Sequence, residues 1–135
     1  SADVIVASRS TKFVMAYPGI GLTPDCGVSY LLPRAIGQQR ALDLALTGRV
    51  LTADEALDWG LVTSVVDDAD VEAKVADMAR GWADSAPHAL GQARRLIRSS
   101  WEATGPEQGA DESATIAAAV TGDEARRLVE AFTRR

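Results

Sequence analysis

Residues able to do chemistry are concentrated in one short segment, residues 13–37. The segment is apolar over long runs, but glycine and proline interrupt it repeatedly. Its single acid, Asp25, lies in the turn Thr-Pro-Asp-Cys-Gly. A segment that only filled a core would form an uninterrupted strand or helix. Apolar walls, a permissive backbone and one carboxylate are typical of a ligand pocket, so we expect a site at this turn.

Asp25 has two interpretations, which do not exclude each other. It follows Pro24 and precedes an apolar run, so its side chain is well placed to cap a helix over residues 27–36. The local sequence alone favours this cap over catalysis. Such a carboxylate stays ionised, because the backbone N–H groups and the helix dipole favour the charged form. Tyr17, taken alone, is interpreted as an amphipathic core residue whose hydroxyl reaches water.

The cysteine beside this acid has a packing interpretation. Cys26 is the only cysteine, so it cannot form an internal disulfide. The only histidine, His88, is far along the chain. We therefore interpret Cys26 as a small packing residue rather than a nucleophile.

Alternation and helical periodicity predict the elements that would position the turn. Strands are expected over residues 4–6, 12–15 and 61–66. Helices are expected over residues 27–36 and 38–46, and Pro33 should stop or kink the first of them. Thr52 and Glu55 form a capping-box signature for a helix that stops at Gly60. From residue 70 the chain is predicted to be helical, with further helices from residue 87 and over 107–120 and 123–132.

Composition restricts the classes of function. The chain has 135 residues and a net charge of −5, which gives no support for nucleic-acid binding. No apolar run is long enough to cross a bilayer, and no signal-peptide pattern opens the chain. No cluster of metal-ligand residues is visible. We therefore expect a cytoplasmic protein with no metal, no nucleic-acid partner and no membrane association.

Two stretches, residues 2–37 and 41–68, resemble the enoyl-CoA hydratase/isomerase (crotonase) superfamily. The most specific piece is LTGRVLTADEALDWGLV, residues 46–62. The resemblance implies an α/β crotonase-like spiral fold. Residues 1–66 would form the C-terminal part of its core, at the end of the β-spiral, and residues 67–135 a helical region for oligomerisation. Because such subunits are about twice this long, it also implies an N-terminal half on a separate or further segment, and a homotrimer or hexamer.

The resemblance also implies a reaction. Superfamily members hold an acyl-CoA thioester carbonyl between two backbone N–H donors, while acidic side chains move protons. CoA enters as part of the substrate, and no further cofactor is expected. Typical hydratases carry a glutamate where this chain has Tyr17, and a phenol of pKa near ~10 is a poor substitute for a carboxylate base. Hydration of an enoyl-CoA is therefore disfavoured.

Asp25 matches an acid used by another branch of the superfamily. Ring-epoxide phenylacetyl-CoA isomerases and enoyl-CoA isomerases have an aspartate at this turn that shuttles a proton. Related chlorobenzoyl-CoA dehalogenases use an aspartate at the equivalent place as a nucleophile. We expect an isomerase with Asp25 as the proton shuttle, and an inactive isolated fragment. The alternatives are a non-catalytic acyl-CoA-binding or assembly subunit and, after it, a hydratase or dehalogenase.

The expected site extends beyond Asp25. Substrate-binding residues would be Tyr17, Ile20, Gly21, Leu22, Pro24 and Phe132. The phosphates of CoA would attract basic side chains, although a solvated helix face is the default interpretation of such residues. Arg94 belongs to such a run of arginines and could bind CoA. The resemblance implies basic residues near CoA at the terminal helix, and Arg134 and Arg135 match them.

Overall fold

The computed structural model describes residues 2–134. Contacts divide the chain into two compact units, residues 1–77 and 78–135. The boundary between these units falls within the helix Val71–Ala83. The division after residue 66 into a core and an oligomerisation region stays a prediction. Each unit is described by itself below.

Four short strands form two ladders in the first unit. They are β1 (Val6–Ser8), β2 (Lys12–Phe13), β3 (Leu51–Thr52) and β4 (Ser64–Val66). β1 pairs with β4 in parallel, and β2 pairs with β3 in antiparallel orientation. All the predicted strands exist, but β2 and β4 are shorter than expected and β1 begins later. Ile5 lies just before β1, and its carbonyl accepts the Thr63 N–H at 2.8 Å from the chain that leads into β4.

Three helices accompany these strands: α1 (Val28–Ile36), α2 (Gln38–Thr47) and α3 (Ala53–Asp58). α1 passes through Pro33, so this proline does not stop the helix, and the alternative expectation of a kink stays a prediction. Pro33 lacks an N–H, but its carbonyl still accepts the Gly37 N–H at 3.0 Å, and the helix continues for only three more residues. Gly48 follows the last residue of α2 and has a left-handed φ of 63°, a conformation typical of a glycine that ends a helix.

The capping box of α3 is confirmed. The Glu55 N–H donates to Thr52 Oγ1 at 3.3 Å, and the Thr52 N–H donates to Glu55 Oε2 at 2.9 Å. Arg49 connects this box to α2, since it bridges Asp43 at 2.8 Å and Glu55 at 3.0 Å. Its guanidinium also lies 4.7 Å from the centre of the Trp59 ring. The box is therefore part of a network that joins α2, β3 and α3.

One apolar core supports the first unit. Leu51 is fully buried at its centre. Met15 is buried just before Tyr17, and Ile36 is buried at the end of α1. The segment that carries Asp25 is thus anchored in the core at both ends. The buried cluster comprises Ala7, Met15, Ile36, Ala41, Leu44, Leu51, Ala56 and Val62.

The remaining helices are α4 (Val71–Ala83), α5 (Pro87–Ser99), α6 (Gly105–Val120) and α7 (Asp123–Thr133). α5 and α6 are joined by two bonds from the Arg95 guanidinium to the Asp111 carboxylate, at 2.6 and 2.9 Å. No residue of α4–α7, within the described part of the chain, is buried. Within residues 2–134, no helix has the length and apolar character needed to span a membrane.

Candidate active site

A tight reversal of the chain brings Tyr17 back to Asp25. Tyr17 begins a short 3₁₀ turn, Tyr17–Ile20, and Gly21 ends it with a left-handed φ of 73°. The Leu22 N–H donates to the Tyr17 carbonyl at 2.9 Å, which closes the turn. The Tyr17 hydroxyl then donates to Asp25 Oδ1 at 2.8 Å. The sequence placed both residues at the site but did not predict this hydrogen bond.

The Asp25 side chain does not cap α1, so the interpretation favoured by the local sequence is wrong. The N-cap residue is Gly27, and no side chain accepts a hydrogen bond from the first turn. Asp25 contributes its carbonyl instead, which accepts the Val28 N–H at 3.0 Å. Cys26 and Gly27 both have left-handed backbones, with φ of 50° and 78°. This turn directs the Asp25 carboxylate to Tyr17 and away from the helix.

Asp25 changes the acidity of both its neighbours. Its carboxylate accepts the hydrogen bond of Tyr17 and thereby raises the pKa of the phenol above the ordinary value of 10.0. A side-chain hydrogen bond to Asp25, and the charge of that carboxylate, raise the pKa of the Cys26 thiol. Both groups are therefore protonated donors at neutral pH, and Tyr17 cannot serve as a general base there.

Cys26 differs from the sequence-based interpretation in one respect. It is exposed, so the expectation that it is a packing residue is wrong. A thiol whose pKa is raised has little thiolate at neutral pH, and the thiolate is the reactive form. The expectation that Cys26 is not a nucleophile is thus supported by its surroundings.

The segment that carries the carboxylate is largely exposed. Asp25 is exposed, Tyr17 and Pro24 are half-buried, and Ile20 and Leu22 are 73% and 59% exposed. The substrate-binding residues predicted between positions 17 and 24 thus lie in the same segment as Asp25. A cavity of about 470 Å³ lies elsewhere, between α5 and α6, and none of the predicted site residues lines it.

The other predicted site residues belong to the second unit. Arg94 is exposed on α5, and Phe132 on α7 has 79% of its surface exposed. Arg134 follows α7 and lies 3.5 Å from the Glu130 carboxylate. Arg135 lies outside the described residues. Their roles toward substrate or CoA stay predictions. Over residues 2–134, no three acidic, histidine or cysteine side chains are grouped so as to hold a metal ion.

Comparison with known proteins decides the family. All of residues 1–135 match the enoyl-CoA hydratase/isomerase family. The chain belongs to this family. Over 98 residues it is 43% identical to a 1,2-epoxyphenylacetyl-CoA isomerase of Escherichia coli (strain K12), a match that covers 73% of this chain and 37% of the relative. A 4-chlorobenzoyl coenzyme A dehalogenase of an Arthrobacter species is 36% identical over 98 residues, covering 73% of this chain and 36% of that protein.

A solved structure confirms the crotonase-like fold that the resemblance implied. The crystal structure of an enoyl-CoA hydratase/isomerase from Cupriavidus metallidurans CH34 superposes with a TM-score of 0.91 at 37% identity. The superposition covers 98% of this family member and 50% of the solved chain. The chain therefore spans about half the length of that solved protein.

Proposed function

We propose that this enoyl-CoA hydratase/isomerase family member isomerises an unsaturated or ring-epoxide acyl-CoA thioester, with Asp25 as the proton-transferring group. The observation that carries the proposal is the exposed Asp25 carboxylate, which accepts a hydrogen bond from Tyr17 at 2.8 Å in a segment that also exposes Ile20 and Leu22. The match to a protein named 1,2-epoxyphenylacetyl-CoA isomerase supports the same reaction class.

For an unsaturated substrate, the proposed step moves one proton. Asp25 accepts a proton from a carbon beside the double bond, and the electron pair of that C–H bond shifts toward the thioester oxygen to form an enolate. Asp25 then returns the proton to another carbon of the acyl chain, so the double bond moves and the overall composition is unchanged. We assign the backbone donors that stabilise the enolate oxygen to parts of the enzyme outside this chain.

Tyr17 argues against simple hydration of an enoyl-CoA. Water addition needs a base for the attacking water, and by the resemblance a hydratase has a glutamate where this chain has Tyr17. The phenol here keeps its proton at neutral pH because Asp25 raises its pKa. Isomerisation requires only one group that both accepts and returns a proton, and Asp25 can do both.

The proposal is tested by Asp25→Asn, assayed in the protein's full encoded form with enoyl-CoA and ring-epoxide acyl-CoA substrates. Loss of a general acid–base group lowers kcat by about 10²- to 10⁴-fold, while acyl-CoA affinity should be retained. Asp58→Asn, a neutralised exposed aspartate on α3, is the matched control and should keep full turnover. Unchanged turnover in Asp25→Asn would remove Asp25 from the chemistry. Acyl-CoA binding without any product in the unaltered protein would favour a non-catalytic subunit.

A second candidate is hydrolytic dehalogenation of a CoA thioester, favoured by the 36% identity to a 4-chlorobenzoyl coenzyme A dehalogenase. There, an Asp25 oxygen would attack the ring carbon, chloride would leave, and water would hydrolyse the resulting ester at its carbonyl. The product hydroxyl would then contain the oxygen that Asp25 contributed. An oxygen from water would take its place in the Asp25 carboxylate. A single turnover of a chlorobenzoyl-CoA in heavy-oxygen water distinguishes the dehalogenase from the isomerase. Heavy oxygen in the Asp25 carboxylate supports the dehalogenase, and no release of chloride excludes it.

A further inference from the structure

The contact between Tyr17 and Asp25 joins two anchored positions. Tyr17 follows the buried Met15, and its carbonyl is held by the Leu22 N–H at 2.9 Å. Asp25 precedes two left-handed residues, and its carbonyl accepts the Val28 N–H at 3.0 Å. Both side chains thus extend from backbone that is fixed by local hydrogen bonds. A bond between such positions restrains the direction of the carboxylate more than a bond between two mobile side chains would.

We propose that Tyr17 is a positioning residue, whose hydroxyl fixes the Asp25 carboxylate through Oδ1 so that Oδ2 exchanges the proton with the acyl chain. The inference rests on the proposed function of Asp25 and adds a role for Tyr17 that differs from lining the pocket. Tyr17 keeps its own proton throughout the reaction and transfers none to substrate.

The exposure of Asp25 is the reason that such a restraint matters. An exposed aspartate side chain rotates among several staggered positions, and only some of them direct an oxygen toward a bound acyl chain. The hydroxyl of Tyr17 selects one of these positions, because it donates at 2.8 Å to one carboxylate oxygen. Proton transfer depends steeply on such placement. The raised pKa of the Tyr17 phenol agrees with a donor that keeps its proton.

The hydrogen bond itself can be observed without substrate. The protein is prepared with carbon-13-labelled tyrosine rings and studied by carbon NMR. The signal of Tyr17 is the one that disappears in Tyr17→Phe. The pH dependence of this signal gives the pKa of the phenol. In Asp25→Asn, the Tyr17 titration should move to lower pH, toward the ordinary value of 10.0. An unchanged titration would show that the bond does not form in solution and would overturn the proposal.

The kinetic test compares Tyr17→Phe with Tyr30→Phe, which removes the hydroxyl of the other tyrosine in this chain. Tyr17→Phe should lower kcat by about 10- to 100-fold, the usual effect of one hydrogen bond to a charged group. Its KM should stay within about twofold, because the bond orients Asp25 and does not bind substrate. Tyr30→Phe should leave both constants unchanged.

The outcomes of these tests distinguish the proposed function of Asp25 from the positioning role of Tyr17. If Asp25→Asn retains full turnover, the proposed function fails. If Asp25→Asn is inactive but Tyr17→Phe keeps the unaltered kcat, Asp25 stands and only the positioning role is overturned. A raised KM with unchanged kcat in Tyr17→Phe would make Tyr17 a substrate-binding residue, which also overturns the inference.

Discussion

At the scale of single residues, the site is a carboxylate with two protonated neighbours. Tyr17 donates to Asp25 at 2.8 Å, and Cys26 is the residue next to this acid in the chain. The pKa of each neighbour is raised mainly because hydrogen bonding to the Asp25 carboxylate favours the protonated form, and the charge of that carboxylate adds to the effect. Asp25 is thus the group of the three suited to accepting a proton at neutral pH. This division of roles is what a proton-shuttling site requires.

The thiol beside Asp25 provides the residue-scale prediction. Cys26 is exposed but holds its proton, so we expect it to react slowly with iodoacetamide at neutral pH. Asp25→Asn removes the charge that raises its pKa and should increase the labelling rate at neutral pH several-fold. The rates should converge at high pH, where the thiolate forms in both proteins. Peptide mass spectrometry measures the labelling at Cys26, and equal rates at neutral pH would contradict the assigned interaction.

At the scale of elements, short strands and short helices are held by a few specific bonds. β3 has only two residues, yet one of them is the fully buried Leu51 and the other is the N-cap of α3. Arg49 reaches from the end of α2 to the Glu55 carboxylate of the capping box. Elements this short gain their stability from packing and capping rather than from their length. The frame that supports the Asp25 segment should therefore be sensitive to single substitutions.

The capping box gives one element-scale prediction. Thr52→Ala removes the oxygen that accepts the Glu55 N–H and should lower the free energy of unfolding by about 1 kcal/mol. Thr52→Ser keeps an oxygen at that place and should recover most of the loss. Denaturant unfolding of the three proteins measures the difference. Equal stability of Thr52→Ala and the unaltered protein would show that the box contributes nothing.

The apolar core of the first unit gives a second prediction at the scale of elements. Leu51 is fully buried, and truncation to alanine leaves a cavity as well as losing apolar contact. Leu51→Ala should therefore lower the free energy of unfolding by about 2–5 kcal/mol. Leu46→Ala, at a residue with 80% of its surface exposed, is the matched control and should cost far less. Thermal or denaturant unfolding compares the two, and a similar loss in both would contradict the assigned core.

At the scale of the whole molecule, much apolar surface is exposed. The helices α4–α7 have no buried residue in the described part of the chain, and several of their large apolar side chains face solvent. Apolar surface of this extent favours association with other protein surface. The family resemblance implies trimers or hexamers, and we propose such assembly here. The large apolar residues exposed on α4–α7 and the segment after α5 are Val75, Trp82, Leu90, Ile97, Trp101, Ile116, Val120, Leu128, Val129 and Phe132.

Acid sensitivity is the prediction at this scale. Hydrogen bonds and ion pairs lower the pKa of four carboxyl groups, and a group with a lowered pKa stabilises the fold above its ordinary pKa. That stabilisation is lost as the pH falls through the folded-state values, so the unfolding temperature should decrease below about pH 4. Glu107→Gln should reduce this dependence, because its carboxylate accepts the Thr104 N–H. An unfolding temperature that is constant in this range would contradict the assignment. The four groups are Glu55, Asp68, Glu107 and Asp111.

Sequence patterns predicted the helices and the capping box of α3, because these depend on neighbouring residues, but the predicted Asp25 cap of α1 is absent. Thr52 and Glu55 alone identify the start of α3, and Gly48 identifies the end of α2. Strand ends were less predictable, since the pairing of β1 with β4 joins residues far apart in the chain. Pro33 also misled the prediction, because α1 tolerates it near its C-terminal end.

At the site, residue types were predictable but their contacts were not. The turn around Asp25 was visible in its glycines and proline, and its acid was the obvious candidate. The hydrogen bond with Tyr17 depends on the 3₁₀ turn and on the left-handed backbone of Cys26, a conformation that non-glycine residues rarely adopt. No local pattern indicates that combination. The same backbone explains why the expected helix cap is absent.

The central claim is that Asp25 carries the proton, and hydrogen exchange tests it most directly. An enoyl-CoA substrate is incubated in deuterium oxide with the full encoded form of the protein or with Asp25→Asn, and proton NMR measures deuterium entering the acyl chain next to the double bond. Because Asp25 is exposed, the proton that it accepts exchanges with solvent deuterium before Asp25 returns it to the acyl chain. The account therefore predicts enzyme-dependent exchange with the unaltered protein and loss of that exchange in Asp25→Asn. Equal exchange in both proteins would contradict it.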